Sequence, residues 1–488
     1  MNLESTGIYI ALAITVLIAI WAVYKTKGDT NTTSEYFTAF GFLDRKRIFF
    51  SVFATTFSAF TVVGLPAMFF AHGIGTFWFM WVGIALTPYT IRFIGKRIVN
   101  LSIASNKKFS SPVGLLTSGY KSQALTITLS LLTIIVLFPY LTLQIAGIGK
   151  FLLSVSDGNV SYIFGTIFCS LLVGLYVLTG GAKADAETDL IQGIILIIGT
   201  ITLGISIFLI VGDQFEPSMQ KLGEMKLLET PGPKGYFTLP VLISYFVIFT
   251  LISVSTPQVS QKLMGIKDIK DLKPLTSWWF YPLIGSIVIL LAGVFGFYAA
   301  ANLNIASPDF VAGDVIRDIS SKTSGLGSIL FFLVATLFMS AVLSAAVSTI
   351  DSLLLAVSGI VSDNISNDDK GNKSKPKLKL LTILLLVGGL VFATQPPLFI
   401  VSLAQIQLAG LTALLPCLLG PLFGINSKFS GWLALSFGII PVILIKFLNI
   451  PIIWGIDVGI IGLFCGLIGL FLGQIIATSR ENTAANNV

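Results

Sequence analysis

Ser344, Ser348, Thr349, Asp351 and Ser352 lie in the middle of an apolar run that begins near Leu326. At 100° per residue, Ala345, Ser348 and Ser352 share one helix face, with Thr349 beside them. The result is a stripe of small residues and hydroxyl oxygens with a carboxylate next to it. A carboxylate at membrane depth costs about 2.5–3.5 kcal/mol on insertion scales, so something must stabilise it. A bound cation is the natural candidate. The alternative is a small-residue helix seam whose hydroxyls bond back to the helix's own carbonyls. That accounts for the serines but not for Asp351.

The elements that position these residues must cross a bilayer. The chain has 488 residues, of which 55% are hydrophobic and 11% charged, and its mean hydropathy is +0.91. Soluble domains carry about 25% charged residues. The sequence therefore reads as an all-α polytopic membrane protein. A large β-barrel would show short alternating segments instead. The net charge of +7 comes from basic residues in short loops and does not point to nucleic acid. Cys169, Cys417 and Cys465 fall in apolar runs and read as packing residues. The first run, 7–24, has no preceding basic residue and no small-residue cleavage site, so it is expected to be retained.

A criterion of about 20 apolar residues per span gives about thirteen spans. They fall at 5–25, 47–72, 76–97, 123–153, 159–179, 188–211, 238–262, 276–301, 326–361, 378–395, 398–422, 430–447 and 453–477. Lys25, Lys27, Arg45–Arg47, the group Arg92 to Lys121, Lys262–Lys273 and Lys370–Lys379 all fall on one side. That puts the N-terminus outside and the C-terminus inside. Lys150 and Lys446 break the pattern and are expected to snorkel to the outer surface. Phe109, Val113, Leu115 and Leu116 suggest an interfacial segment. Trp278, Trp279 and Tyr281 suggest an aromatic belt. The segment 364–377 is expected to be mobile and the tail 479–488 disordered. The chain reads as one transmembrane domain over 1–488.

Two spans are interrupted. In the second, Thr55, Thr56, Ser58 and Thr61 precede Gly64 and Pro66. In the seventh, Ser253-Val254-Ser255-Thr256-Pro257 breaks the run. A broken span frees carbonyls for a cation and offers a half-helix N-terminus for an anion; a plain proline kink would leave the same trace. Two blocks of five spans, 47–211 and 238–422, each open with such a helix. Hydropathy alone thus suggests an inverted repeat with a central site.

Four stretches resemble the sodium:solute symporter family. They are Phe57-Ser58-Ala59-Phe60-Thr61-Val62-Val63-Gly64-Leu65-Pro66, the Gly180-Gly181 to Gln192-Gly193 segment with Thr188-Asp189, Pro257-Gln258-Val259-Ser260-Gln261-Lys262, and Ala345-Ala346-Val347-Ser348-Thr349-Ile350-Asp351-Ser352. The resemblance covers nearly the whole chain. It implies a LeuT-type five-plus-five fold with extra helices at both ends, in the cell inner membrane. It also implies a sodium site on the carbonyls of Ala54, Phe57 and Ala345 and the hydroxyls of Ser348 and Thr349. Five neutral oxygens would hold sodium reversibly, as coupling requires. In some members a second sodium lies where this chain has Asp189, Ser348, Asp351 and Ser352. Asp189 could equally cap its helix or pair with Lys183. Proline-transporting members carry Asp at the position of Thr56. Its absence points away from a proline-type amino acid and towards a monocarboxylate-like solute or another small metabolite.

Thr56, Ser58, Phe60, Gln144, Tyr245, Phe249, Gln405 and Gln407 are the candidate solute residues, although amides and aromatics at membrane depth also serve helix packing. Phe60, Tyr140, Tyr245 and Phe249 could gate the site. No zinc spacing, phosphate loop or nucleophile motif occurs, and the lack of a Walker A lysine argues against a primary pump. The expectation is a non-enzymatic, sodium-driven importer that needs no other cofactor, binds no nucleic acid and works as a monomer. A proton-coupled carrier of the same fold, or a non-transporting sensor or subunit on that scaffold, are the alternatives.

Overall fold

The computed structural model describes residues 3–27, 33–105, 108–364, 375–395, 400–450 and 455–486. Among them all regular structure is helical. In chain order the α-helices are α1 (Leu3–Thr26), α2 (Thr33–Thr38), α3 (Arg45–Thr56), α4 (Leu65–His72), α5 (Gly75–Thr90), α6 (Lys96–Ala104) and α7 (Pro112–Thr117). Next come α8 (Gln123–Val155), α9 (Tyr162–Val211), α10 (Phe215–Glu224), α11 (Leu239–Ser255), α12 (Pro257–Met264), α13 (Phe280–Asn302) and α14 (Val311–Ser321). The last are α15 (Gly325–Asn364), α16 (Lys375–Ala393), α17 (Val401–Leu419), α18 (Lys428–Phe447) and α19 (Val458–Asn486).

Ten helical runs among the described residues are long and apolar enough to cross a membrane, and eleven if the bent pair Arg45–Thr56 and Phe60–His72 is one span. The sequence suggested about thirteen. The difference has two sources. The spans expected at 159–179 and 188–211 form one continuous run in α9, and the apolar part of α16, Thr382–Ala393, is short. α9 is nevertheless broken at Gly181, where φ is +58° and ψ −150°. Only glycine adopts that conformation easily, and a Cβ there would meet the Tyr36 carbonyl oxygen at 2.6 Å.

The runs containing α15 and α17 bury 67% and 72% of their most apolar windows, against 33% for α18. α15 and α17 are therefore central and α18 peripheral. α15 packs on α9, α1, α8 and α3. Apolar side chains on the outer faces, such as Ile135, Leu175 and Leu209, are exposed, as a lipid-facing belt requires.

Several local expectations change. The helix break in the second span lies at Phe57–Ser58, not at Gly64–Pro66. Phe57 leaves helical geometry (φ −93°, ψ 78°), a π-helical turn spans Phe60–Gly64, and the two halves bend by 47°. Pro66 sits in the first turn of α4, directly after the π-helical turn, and does not end the helix. Lys150 does not snorkel. It is buried, with its ammonium 2.5 Å from Asp309, whose carboxylate also accepts from the Ile400 N–H. Lys446 is exposed, as expected. Val113, Leu115 and Leu116 are buried in α7 rather than lying on a surface. Trp278 and Trp279 are exposed, but Tyr281 is fully buried against Phe49 and Phe53. α19 remains helical to Asn486, past the expected start of a disordered tail. Most of the segment expected to be mobile, 365–374, falls outside the described residues.

Candidate functional site

The break after α3 faces the middle of α15. Ser348 Oγ donates to the Ala54 carbonyl at 3.1 Å and lies 3.2 Å from the Ala345 carbonyl. Thr349 Oγ1 lies 2.9 Å from the Ala345 carbonyl and 3.4 Å from that of Thr55. All five residues are buried. Four of the five residues expected to hold sodium therefore meet. The hydroxyls do bond back to their own helix, yet they also cross to α3, which a simple seam would not explain. Phe57 is different. Its ring stacks on Phe53 at 4.3 Å and its N–H donates to the Phe53 carbonyl, but among the described residues no hydrogen bond joins it to Ser348 or Thr349.

One turn along α15 lies an acidic cluster. Carboxylate oxygens of Asp185, Asp189 and Asp351 come within 4.8 Å of one another, all buried. Lys262 of α12 reaches Asp185 and Asp189 at 2.6 Å each. Ser51 donates to Asp189, and Tyr176 donates to Asp351. Ser352 Oγ joins the two regions, at 3.1 Å from Asp185 and 3.2 Å from Thr55 Oγ1. So Asp189, Asp351, Ser348 and Ser352 do gather, but Asp189 pairs with Lys262 and not with Lys183. Three carboxylates face one ammonium, and Asp189 Oδ1 is buried without a partner. The donor set is hard and rich in oxygen, which suits a cation. Asp185 and Lys262 were not singled out as site residues from sequence. Asp185 stands one turn before Asp189, which is the signal that could have found it.

A cavity of about 70 Å³ adjoins these residues. Thr55, Thr56, Phe60, Tyr140, Phe249, Thr256, Gln258 and Gln407 are among its walls. Among the described residues no charged side chain lines it. Of the candidate solute residues, Thr56, Phe60, Phe249 and Gln407 reach this space. The other four do not. Ser58 pairs with the Tyr140 hydroxyl at 2.8 Å, and Gln144 Oε1 accepts the Ala59 N–H at 2.9 Å. Tyr245 lies 3.2 Å from Asp457, and Gln405 bonds Tyr236. Ser58 and Gln144 thus satisfy the broken backbone. Tyr245 and Gln405 sit on one side of the cavity, where Phe79 packs on Tyr245 and Phe249 at 4.3 and 5.0 Å. On another side α12 is tied down through Lys262 and through Gln261, which donates to the Phe37 carbonyl at 2.7 Å.

The family model for the sodium:solute symporter family matches residues 36–433. The chain is 29% identical to a sodium/pantothenate symporter of Haemophilus influenzae over 407 residues, covering 81% of this chain and 80% of the relative. It is 26% identical to the Escherichia coli sodium/pantothenate symporter, covering 86% of each. It is also 26% identical to an osmoregulated proline transporter of Bacillus subtilis, covering 83% of this chain and 80% of that one. Among solved structures, a Na+-coupled sialic acid symporter in a substrate-bound, outward-open state superposes with a TM-score of 0.74 at 19% identity, over 98% of both chains. That likeness establishes the LeuT-type fold. The protein is a multi-pass transporter of the cell inner membrane and not an enzyme, and it belongs to the sodium:solute symporter family.

Proposed function

We propose that this protein imports a small monocarboxylate-like solute by coupling it to sodium in an alternating-access cycle. The observation that carries the reading is the meeting of Ser348 and Thr349 with the carbonyls of Ala54, Thr55 and Ala345 across the α3 break. Sodium held there, with Phe57 completing the set, ties α15 to the broken helix. It thereby favours the conformation that accepts solute, and coupling is the difference in affinity between the two states. Asp189, Asp351, Ser348 and Ser352 form a second candidate sodium site, with Asp185 and Lys262 beside it. Pantothenate is the first solute to test. It is a monocarboxylate with amide and hydroxyl groups, two relatives are named for it, and the cavity offers neutral hydroxyls and amides. Proline is the second, from the Bacillus relative.

The topology we propose has thirteen spans, an outside N-terminus and inverted repeats over 47–211 and 238–422. The one-sided lysines and arginines, the breaks in the runs 45–72 and 239–264, and the break at Gly181 support it. Each chain has its own cavity and cation region, so it is expected to work as a monomer.

The test is thermal stability of detergent-purified protein in sodium against potassium at fixed ionic strength. A ligand at 100 times its dissociation constant adds about 2.7 kcal/mol when it binds only the folded state. The wild type is expected to be more stable in sodium, and Ser348→Ala to lose the difference. Equal stability of the wild type in both ions would overturn sodium coupling and favour a proton carried on the acidic cluster.

A further inference from the structure

We propose that the solute's carboxylate docks at the N-terminus of α12, on Thr256 and Gln258. This rests on the reading of the cavity as the solute site. Two helix breaks flank that cavity, and at the α12 break the unpaired polar side chains stand on the cavity wall.

At the α3 break the N–H groups of Ala59 to Val62 are already taken up, and the unpaired side-chain atoms there, Thr61 Oγ1 and Gln144 Nε2, belong to residues off the cavity wall. The Ala59 N–H goes to Gln144 Oε1 at 2.9 Å and the Phe60 N–H to Ser58 Oγ at 3.2 Å. The N–H groups of Thr61 and Val62 both reach the Ser58 carbonyl. An anion arriving there would have to displace these bonds.

At the α12 break the unpaired groups belong to residues that line the cavity. Thr256 is extended (φ −62°, ψ 135°), and α12 begins at Pro257, which has no N–H. Thr256 occupies the N-cap position, yet its side chain makes no capping bond. Its hydroxyl is buried without a partner, and so is the Gln258 amide oxygen. Thr256 is 6% exposed and Gln258 4%, and both line the cavity together with Val259. Unpaired buried polar atoms are costly, so their retention at a cavity wall points to a ligand.

The chemistry selects one negative charge. The uncapped first turn presents the positive end of the helix dipole. The Thr256 O–H donates, and the Gln258 amide, rotated about its last bond, presents its NH₂ group. With no arginine or lysine among the described residues of the cavity wall, a second carboxylate would have no partner. The site therefore suits a monocarboxylate and rejects a dicarboxylate. The docking point also borders the cation region, because Thr55 lines the cavity while its carbonyl faces Thr349. An anion and a sodium ion at adjacent positions attract, so each raises the affinity for the other.

The experiment is a thermal-shift titration of the purified full chain with pantothenate, pantothenamide, lactate and lactamide, in sodium and in potassium. Wild type, Thr256→Val, Thr256→Ser and Gln258→Leu are compared, with monodisperse elution as the check of folding. At least one acid is expected to stabilise the wild type, with its amide binding roughly tenfold weaker or worse, the scale of one lost hydrogen bond to a charged group. Thr256→Val and Gln258→Leu should weaken the acid by a similar factor and leave acid and amide nearly equal, while Thr256→Ser retains the preference. An amide that binds as well as its acid would overturn the inference. So would unchanged acid affinity in both deletion variants, or no stabilisation by either acid. Sodium without effect on the wild type bears instead on the coupling-ion reading, because the acid–amide comparison can be read in either salt.

Discussion

Lys262 shows what one residue can hold together. Its ammonium lies 2.6 Å from both Asp185 and Asp189, and all three are buried. Removing one member of a buried ion network leaves uncompensated charge, which costs about 3–5 kcal/mol. Lys262→Met is therefore expected to lose about that much stability in low sodium. Adding Asp189→Asn should return part of the loss, because one unpaired carboxylate is then gone. Denaturant unfolding of the two single variants and the double variant checks this, and additive losses would refute the coupling. The hydroxyls behave differently. Ser348 and Thr349 each touch two carbonyls, so truncating one removes an oxygen ligand but no charge. Thr349→Ala is expected to raise the sodium concentration for half-maximal uptake several-fold with expression intact, read from sodium activation curves in proteoliposomes. An unchanged curve would remove Thr349 from the site.

At the scale of elements, the two broken helices bring re-paired backbone groups and unpaired side chains to the cavity. α3 stops at Thr56 and the chain resumes helical geometry only after Ser58, while α11 and α12 part at Thr256. Such breaks spare the backbone a cost because side chains take up the freed groups, as Gln144 and Ser58 do. Away from these breaks in sequence, Lys150 of α8 and Asp309, just before α14, form a buried pair that also holds the Ile400 N–H ahead of α17. Burial pushes the Asp309 carboxyl above its ordinary range, while the nearby ammonium opposes that shift. Lys150→Met alone is expected to cost about 3–5 kcal/mol, and Lys150→Met with Asp309→Leu markedly less, since no charge is left buried. Thermal unfolding of both variants decides it. A double variant as unstable as the single would mean that the pair contributes through shape and not charge.

At the scale of the whole molecule, alternating access predicts that the cavity wall changes its exposure with sodium. A cysteine placed at Gln407, in a background lacking Cys169, Cys417 and Cys465, is expected to react with an impermeant thiol reagent at a rate that sodium changes severalfold. Identical labelling in sodium and potassium would count against coupled opening. Much of this was legible from residue order. Apolar runs of bilayer length fixed the class, because water-free surroundings admit few backbone solutions. The placement of Ser348, Thr349 and Asp351 on an apolar helix marked the candidate cation region, because such residues are costly without a partner. Sequence by itself therefore determined that this is a helical membrane protein, which of its spans are interrupted, and which stretch of α15 carries polar residues at membrane depth. Tertiary structure alone decided which oxygens meet, that Lys262 rather than Lys183 answers Asp189, that Ser58 and Gln144 serve the backbone, and that Thr256 and Gln258 are left unpaired at a cavity. Those outcomes depend on contacts between residues tens to hundreds of positions apart, and local periodicity carries no record of which distant partner a buried group will find.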